Sequence, residues 1–133
     1  MEEQIARLTE LITDTEHSVW TNSGITDITP SQVKYIEAIA GLVNPNLTEL
    51  SKVLNLKKPT VKITLDKLED KGYITRVKSD SDRRSAHIHL SEKAIIINYL
   101  HNAAHKQIID INRAKLTNEE VTTLQQLISK ITK

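Results

Sequence analysis

Apolar residues recur at the helical period in the first and last parts of the chain, which predicts amphipathic helices at both ends. The first predicted helix covers about residues 2–20, and a long one runs from Ser91 to about Arg113. A last helix begins at Thr117, where Thr-Asn-Glu-Glu forms a capping box. Their apolar stripes are Ile5, Leu8, Ile12 and Val19; Ile97, Leu100, Ala104, Ile108 and Ile111; and Val121, Leu124, Ile128 and Ile131.

A second helix is predicted after the polar break that follows the first. Thr29, Pro30 and Gln32 supply a cap, a first-turn proline and the third residue of a capping box. Asn44-Pro45-Asn46 ends this helix, because proline cannot continue it and disfavours the helical conformation just before itself. Its expected buried stripe is Val33, Ile36, Ala40 and Val43.

Two closely spaced helices follow in the middle of the chain. Thr48 is the expected cap of a short helix that ends near Leu54, and Asn55 suits a tight left-handed turn. Pro59 opens the next helix, whose inward positions are Val61, Leu65 and Leu68, and Gly72 closes it. A short helix, a tight turn and a second helix form the helix-turn-helix geometry that places the second helix in the major groove.

Two alternating segments, residues 73–77 and 86–90, flank the polar run SDSDRRS and predict a hairpin with a charged tip. His87 and His89 alternate on one strand and are candidates only for phosphate or surface contacts. The hairpin would form a wing beside the helix-turn-helix.

Length and composition narrow the class of protein. A chain of 133 residues fits one domain, and the absence of cysteine excludes disulfides and thiolate chemistry. With only one Trp, three Tyr and no Phe, the core must be aliphatic, which favours helices that bury apolar surface against a second subunit. No signal peptide or membrane segment is expected, so we expect a cytoplasmic protein without a membrane partner.

The charge is distributed unevenly, although the net charge is only +1. Residues 1–56 hold three basic and eight acidic side chains, whereas residues 57–84 hold nine basic and five acidic ones. The basic segment therefore coincides with the predicted helix-turn-helix and wing, as expected for a nucleic-acid contact.

Residues 47–94 resemble the DNA-binding lobe of MarR-type transcriptional regulators. The resemblance rests on the short helix, on a second helix that ends in Leu68-Glu69 and Gly72-Tyr73-Ile74, and on the wing sequence Asp82-Arg83-Arg84. The flanking helices match as well, which extends the resemblance to nearly the whole chain. One departure is Lys57-Lys58-Pro59, where the family often has a Ser or Thr cap.

This resemblance implies a mostly α fold with a small β-hairpin, a winged helix-turn-helix of six helices. The single domain, residues 1–133, would dimerise through its N- and C-terminal helices, residues 1–28 and 91–133. Residues 29–90 would form the DNA-binding lobe. The implied function is a sequence-specific regulator of duplex DNA, an effector-responsive repressor that binds a pseudo-palindromic operator as a homodimer.

The expected DNA contacts lie on the second helix of the motif. Lysines at a helix N-terminus oppose the helix dipole, and an apolar Ile63 lies in the same outward stretch, so a merely solvated face explains the pattern less well. Lysines would meet phosphates, while Ile63 and threonine methyls would meet thymine methyls. The predicted contact residues of this region are Lys57, Lys58, Thr60, Lys62, Ile63, Thr64 and Lys67.

The resemblance further implies roles for the tip of the wing. Arg83 would enter the minor groove, and Asp82 would hold Arg84 by a paired contact. The simpler alternative is that both arginines only keep a strand edge soluble.

His101 and His105 lie four residues apart on one predicted helix, a spacing at which two imidazoles can share a metal. Glu16 or His17 would supply a third ligand, and zinc is the candidate cofactor. Two histidines are a weak metal signal, so an ordinary pair near the dimer interface is the favoured interpretation. A zinc-responsive regulator of the same family stays an alternative function.

Two other function classes remain for comparison. An enzyme is not expected, because the chain lacks a cysteine nucleophile, a glycine-rich phosphate loop and a GxSxG motif. A winged-helix protein-interaction adaptor is the stronger alternative. An adaptor would have no use for Lys57, Lys58, Lys62 and Arg83 on one face, and its binding would depend little on salt.

Overall fold

The computed structural model describes residues 1–78 and 85–133. In chain order the elements are α1 (Glu2–Ser23), α2 (Pro30–Leu42), α3 (Leu47–Leu54), α4 (Lys58–Asp70), β1 (Ile74–Lys78), β2 (Ala86–Leu90), α5 (Glu92–Arg113) and α6 (Asn118–Ile131). The fold is mostly helical with one small antiparallel sheet, a winged helix as predicted. None of the helices in the described ranges has the length and apolar character needed to cross a bilayer.

The chain divides into two compact units. The central unit comprises Gly24–Leu100, and the split unit comprises Met1–Ser23 together with His101–Lys133. The helix α5 belongs to both, since the boundary falls within it.

Local capping explains where several helices begin. At α2 the Thr29 hydroxyl accepts a hydrogen bond from the Gln32 amide at 3.2 Å, and the Gln32 side chain accepts one from the Thr29 amide at 3.2 Å. Thr117 and Glu120 form the same reciprocal pair at α6, with distances of 3.2 and 2.8 Å. Both predicted capping boxes are confirmed.

The structure corrects three local expectations. The cap of α3 is Asn46 rather than Thr48, because the Asn46 side chain accepts from the Glu49 amide at 2.8 Å and the helix already includes Thr48. Val43 is not buried: α2 ends at Leu42, Val43 takes a φ of 57° and its side chain is 74% exposed. The helix α1 reaches Ser23, three residues beyond the expected end.

The core of the central unit is built from the inward faces of its helices and strands. Val61, Leu65 and Leu68 of α4 are buried as predicted. β1 and β2 pair in the register Ile74↔Leu90 to Lys78↔Ala86, which directs Ile74 and Ile88 into the same core. The Ile88 amide donates to the Pro45 carbonyl at 2.8 Å, and this bond attaches the α2–α3 loop to the sheet.

The split unit buries little of its apolar surface within one chain. Ile5, Leu124, Leu127, Ile128 and Ile131 are between 40% and 80% exposed. Among the described residues of α6, none is buried. These helices are amphipathic as predicted, yet their apolar faces are open in a single chain.

Candidate nucleic-acid interface

The helix-turn-helix is formed by α3, a three-residue turn and α4. Asn55 has φ 53° and ψ 45°, the left-handed conformation expected of it, and its amide donates to the carbonyls of Ser51 and Lys52. Gly72, with φ +80°, ends the second helix as predicted. Asparagine and glycine tolerate this conformation better than other residues, so both turns follow from residue type.

The predicted contact residues of α4 form a mostly exposed surface. Lys57, Lys58, Thr60, Lys62, Ile63 and Lys67 are exposed, and Thr64 is half-buried. The Ile63 side chain is 58% exposed, although its neighbours Val61 and Leu65 are buried. An apolar residue thus lies within a cationic and hydroxyl-bearing surface on the outer side of the helix.

A concavity between α3 and α4 brings lysines from both helices together. Its lining consists of Thr48, Ser51, Lys52, Asn55, Leu56, Lys57 and Lys58. Within the described chain, Lys57 is the N-terminal cap position of α4 and makes no capping bond with its side chain. The amides at this helix start therefore remain available to an anion such as a phosphate group. Lys52 was missed in the sequence because it lies on the other helix.

The wing begins beside α4, where Arg76 of β1 contacts two carboxylates of the helix. Its Nη2 donates to Asp66 Oδ1 at 2.6 Å and to Glu69 Oε1 at 3.3 Å, and its Nε donates to Glu69 Oε2 at 3.0 Å. The hydrogen bonds that Arg76 donates to Glu69 and, to a smaller extent, to Asp66 raise the pKa of Arg76 above its ordinary value. The wing-tip residues Asp82, Arg83 and Arg84 lie outside the described residues.

A polar cluster around Asp27 joins distant parts of the central unit. Its carboxylate accepts hydrogen bonds from the Tyr73 hydroxyl and from Lys93 Nζ, the latter at 3.4 Å. Lys71 Nζ donates to the Asp27 carbonyl and to Gln32 Oε1. Lys93 Nζ also lies 4.2 Å from the centroid of the Tyr73 ring, a cation–π contact.

These contacts shift two pKa values in opposite directions. The hydrogen bond from Tyr73 lowers the pKa of Asp27 below its ordinary value of 3.8, with a smaller contribution from Lys93. Burial, followed by the hydrogen bond to Asp27, raises the pKa of Tyr73. The cluster attaches the start of the central unit to the end of α4 and the first turn of α5.

Comparison with known proteins identifies the fold. The sequence profile of the MarR family matches residues 28–86. The structure of Streptococcus pneumoniae FabT in complex with DNA superposes with a TM-score of 0.84 at 27% identity, covering 98% of this chain and 91% of that one. A mutant of Escherichia coli MarR superposes with a TM-score of 0.67 at 25% identity, with 96% of each chain covered.

The chain is similar to members of the MarR family, and its winged helix-turn-helix region, residues 28–86, is the part that matches the family profile. Its fold is the winged helix of the solved MarR-family structures. A mutant of S. aureus MepR bound to an oligodeoxyribonucleotide shares the fold at 18% identity and a TM-score of 0.71, covering 98% of this chain and 94% of that one.

A second group of chemically active side chains lies in the split unit. Glu16, His101 and His105 each offer one ligand atom, and these atoms lie within 4.8 Å of one another. His105 Nε2 is 3.3 Å from Glu16 Oε1, and the two imidazole rings have centroids 4.4 Å apart. One carboxylate and two imidazoles are a donor set that zinc accepts. His17, the alternative third ligand, is not part of the group.

Some of these contacts had a signal in the sequence, and others had none. Arg76 shares the inward parity of Ile74 on its strand, and a charged residue there indicates a partner. Asp66 and Glu69, three apart on a helix, were a visible pair for it. No local pattern could reveal Asp27 and Tyr73, because they are 46 residues apart.

Proposed function

We propose that this protein binds duplex DNA sequence-specifically as a homodimer and acts as an effector-responsive repressor. The observation that carries the proposal is the exposed surface of α4, where lysines, threonines and Ile63 surround a helix start without a side-chain cap. A DNA complex of FabT, which is 27% identical to this chain, supports it.

In this proposal α4 occupies the major groove. Lys52, Lys57 and Lys58 contact phosphates near the helix start, where the free amides favour anions. The base edges are read by the outward residues Thr60, Lys62, Ile63, Thr64 and Lys67. Arg83 reads the adjacent minor groove, and Asp82 holds Arg84; these roles rest on the family resemblance alone.

The exposed apolar faces of the split unit support the homodimer. Side chains such as Ile131, which is 80% exposed, cost less free energy when a second copy covers them. Residues 1–28 and 91–133 would form the dimer helices, and residues 29–90 would form the DNA-binding lobe. Two α4 helices about 34 Å apart would match a pseudo-palindromic operator.

Selection of bound sequences from a random duplex library by the purified protein tests the proposal. We expect a pseudo-palindromic motif, and Arg83→Ala should lower affinity strongly while leaving the ranking of major-groove variants unchanged. If Arg83→Ala and Lys62→Ala both stay within about twofold of wild type, the docking surface is wrong. The interaction-adaptor hypothesis would then be the better one.

A second candidate function is a response to zinc, favoured by the arrangement of Glu16, His101 and His105. The sequence left this pair without a firm carboxylate, and Glu16 supplies one at 3.3 Å from His105. Zinc held by three protein ligands keeps a fourth position for water or another ligand. Metal bound to the split unit would stabilise the folded dimer through linkage.

Titration with zinc followed by calorimetry tests this second function. We expect binding that is lost in His105→Ala and in Glu16→Gln and retained in His17→Ala, whose imidazole lies outside the group. A wild-type protein that neither binds zinc nor gains thermal stability from it would leave the histidines as an ordinary pair.

A further inference from the structure

We infer that Arg76 is a positioning residue that sets the wing against the recognition helix, and that Asp66 and Glu69 serve DNA binding although their charge opposes it. This inference rests on the proposed function, since it assumes that α4 and the wing contact the same DNA duplex. It concerns three residues that none of the predicted contacts includes.

The contact uses the Nε and Nη2 groups of the guanidinium, which both donate to Glu69, while Nη2 also donates to Asp66. Nε has one hydrogen and Nη2 has two, and these three donors meet three carboxylate oxygens at 2.6, 3.0 and 3.3 Å. Arg76 is 26% exposed, whereas Asp66 and Glu69 are 51% and 41% exposed. The planar fork fixes the direction as well as the distance between strand and helix, which a lysine ammonium would not do.

The contact is also placed where it can control the wing. Arg76 is the middle residue of β1, and its neighbours on either side are paired with β2 at Thr75↔His89 and Val77↔His87. Asp66 and Glu69 lie on the same side of α4 as Lys62, which is one helical turn before Asp66. A change in this contact therefore moves the strand that leads into the wing relative to the helix face with the predicted base contacts.

Electrostatics alone would give these two acids the opposite role. Two carboxylates on a helix that approaches phosphates repel them, and Arg76 offsets only one of the two charges. If the acids had no positioning role, their removal would strengthen DNA binding. Positioning and electrostatics therefore predict changes of opposite sign, which makes the inference testable.

The test compares the double variant Asp66→Asn, Glu69→Gln with wild type on the selected DNA duplex, by anisotropy at several salt concentrations. We expect affinity for DNA to fall about threefold or more, although the two substitutions remove two negative charges and so raise the net charge by two. Arg76→Lys should show a similar loss with the charge retained. In both variants, A·T discrimination in the flanking minor-groove positions should weaken while the ranking of major-groove variants is kept.

Asp70→Asn is the matched control, because Asp70 lies on the same helix and has no ion pair within the described residues. It should bind as tightly as wild type or slightly tighter. Thermal melts of each variant identify any unfolded protein, and the substituted acids are exposed enough for the fold to persist. Tighter binding by the double variant would overturn the inference, as would unchanged minor-groove discrimination. A wild-type protein that selects no DNA would instead overturn the proposed function.

Discussion

The central unit and the split unit differ in how much apolar surface each buries alone. Of the buried hydrophobic side chains among the described residues, thirteen lie in Gly24–Leu100 and only Ala104 lies in the split unit. The central unit has a sheet, three short helices and the first turns of α5 around one core. The split unit has long helices with open apolar stripes.

The two units should therefore differ in what stabilises them. Burial within the chain stabilises the central unit, because its apolar side chains are already removed from water. The split unit lacks that contribution, which association with a second copy would supply in the proposed dimer. We therefore expect substitutions in the split unit to have effects on stability that depend on protein concentration. Substitutions in the central unit should have effects that are independent of it.

The largest effect should follow from charges placed in the apolar stripe of α6. Leu124→Asp combined with Ile128→Asp should abolish the dimer, because two carboxylates would be buried without partners. Light scattering should show a mass of 15.0 kDa in place of about twice that value. Gln126→Asp, on the polar side of the same helix, is the control and should stay dimeric. A double variant that keeps the dimeric mass would refute the assignment of the interface to this stripe.

A core truncation in the central unit should give the next largest effect. Leu65, which is 1% exposed, loses burial and leaves a cavity in Leu65→Ala, at a cost of about 2–5 kcal/mol of unfolding free energy. We expect this loss in the dimer and in the monomeric α6 variant alike, measured by urea unfolding. Leu127→Ala, where the side chain is 52% exposed, should matter only in the dimer. If Leu127→Ala lowers the unfolding free energy equally in the dimer and in the monomeric α6 variant, the expected difference between the two units is wrong.

Substitutions on the surface of α4 should change DNA binding without changing assembly. Lys62→Ala should alter which operator bases are tolerated, at ~1–3 kcal/mol per lost base contact. If Lys57 meets only phosphate, as proposed, Lys57→Ala should weaken all sequences alike and reduce the salt slope by about one unit. Anisotropy titrations with operator variants at several salt concentrations separate the two, while light scattering should report an unchanged mass.

The smallest effect should be a pH dependence of the central unit that comes from Asp27. The folded protein holds the pKa of Asp27 below 3.8, so its contribution is present above the unfolded value and is lost as pH falls through the folded pKa. Asp27→Ala should therefore be less stable than wild type at neutral pH, and the difference should shrink below about pH 4. Thermal melts from neutral to acidic pH measure it. A difference between Asp27→Ala and wild type that stays constant down to pH 2 would contradict this account.

Much of the fold could be predicted because its signals are local. The capping boxes at Thr29 and Thr117 involve residues three apart, and Asn55 and Gly72 were identified by the conformations that their residue types tolerate. The prediction of Thr48 as the cap of α3 was wrong because Asn46, two residues earlier, is an equally good cap. The prediction that Val43 is buried was wrong because the apolar stripe of α2 was extended one residue past the end of the helix.

The candidate sites also differ in whether their signals are local in the sequence. The outward residues of α4 followed from its helical period, since the positions of Val61, Leu65 and Leu68 fix which side faces out. The position of Glu16 beside His105 joins residues 89 apart, so the sequence could name Glu16 only as one of two candidate ligands.

Residue type and short spacing were enough to predict the order of the helices, the turn between α3 and α4 and the resemblance to MarR-type regulators. Only the tertiary structure decided that Arg76 meets Asp66 and Glu69, that Asp27 receives Tyr73 and Lys93, and that a carboxylate completes the histidine group. The reason is physical: hydrogen bonds and ion pairs require distances near 3 Å, and only the folded chain brings residues so distant in sequence that close.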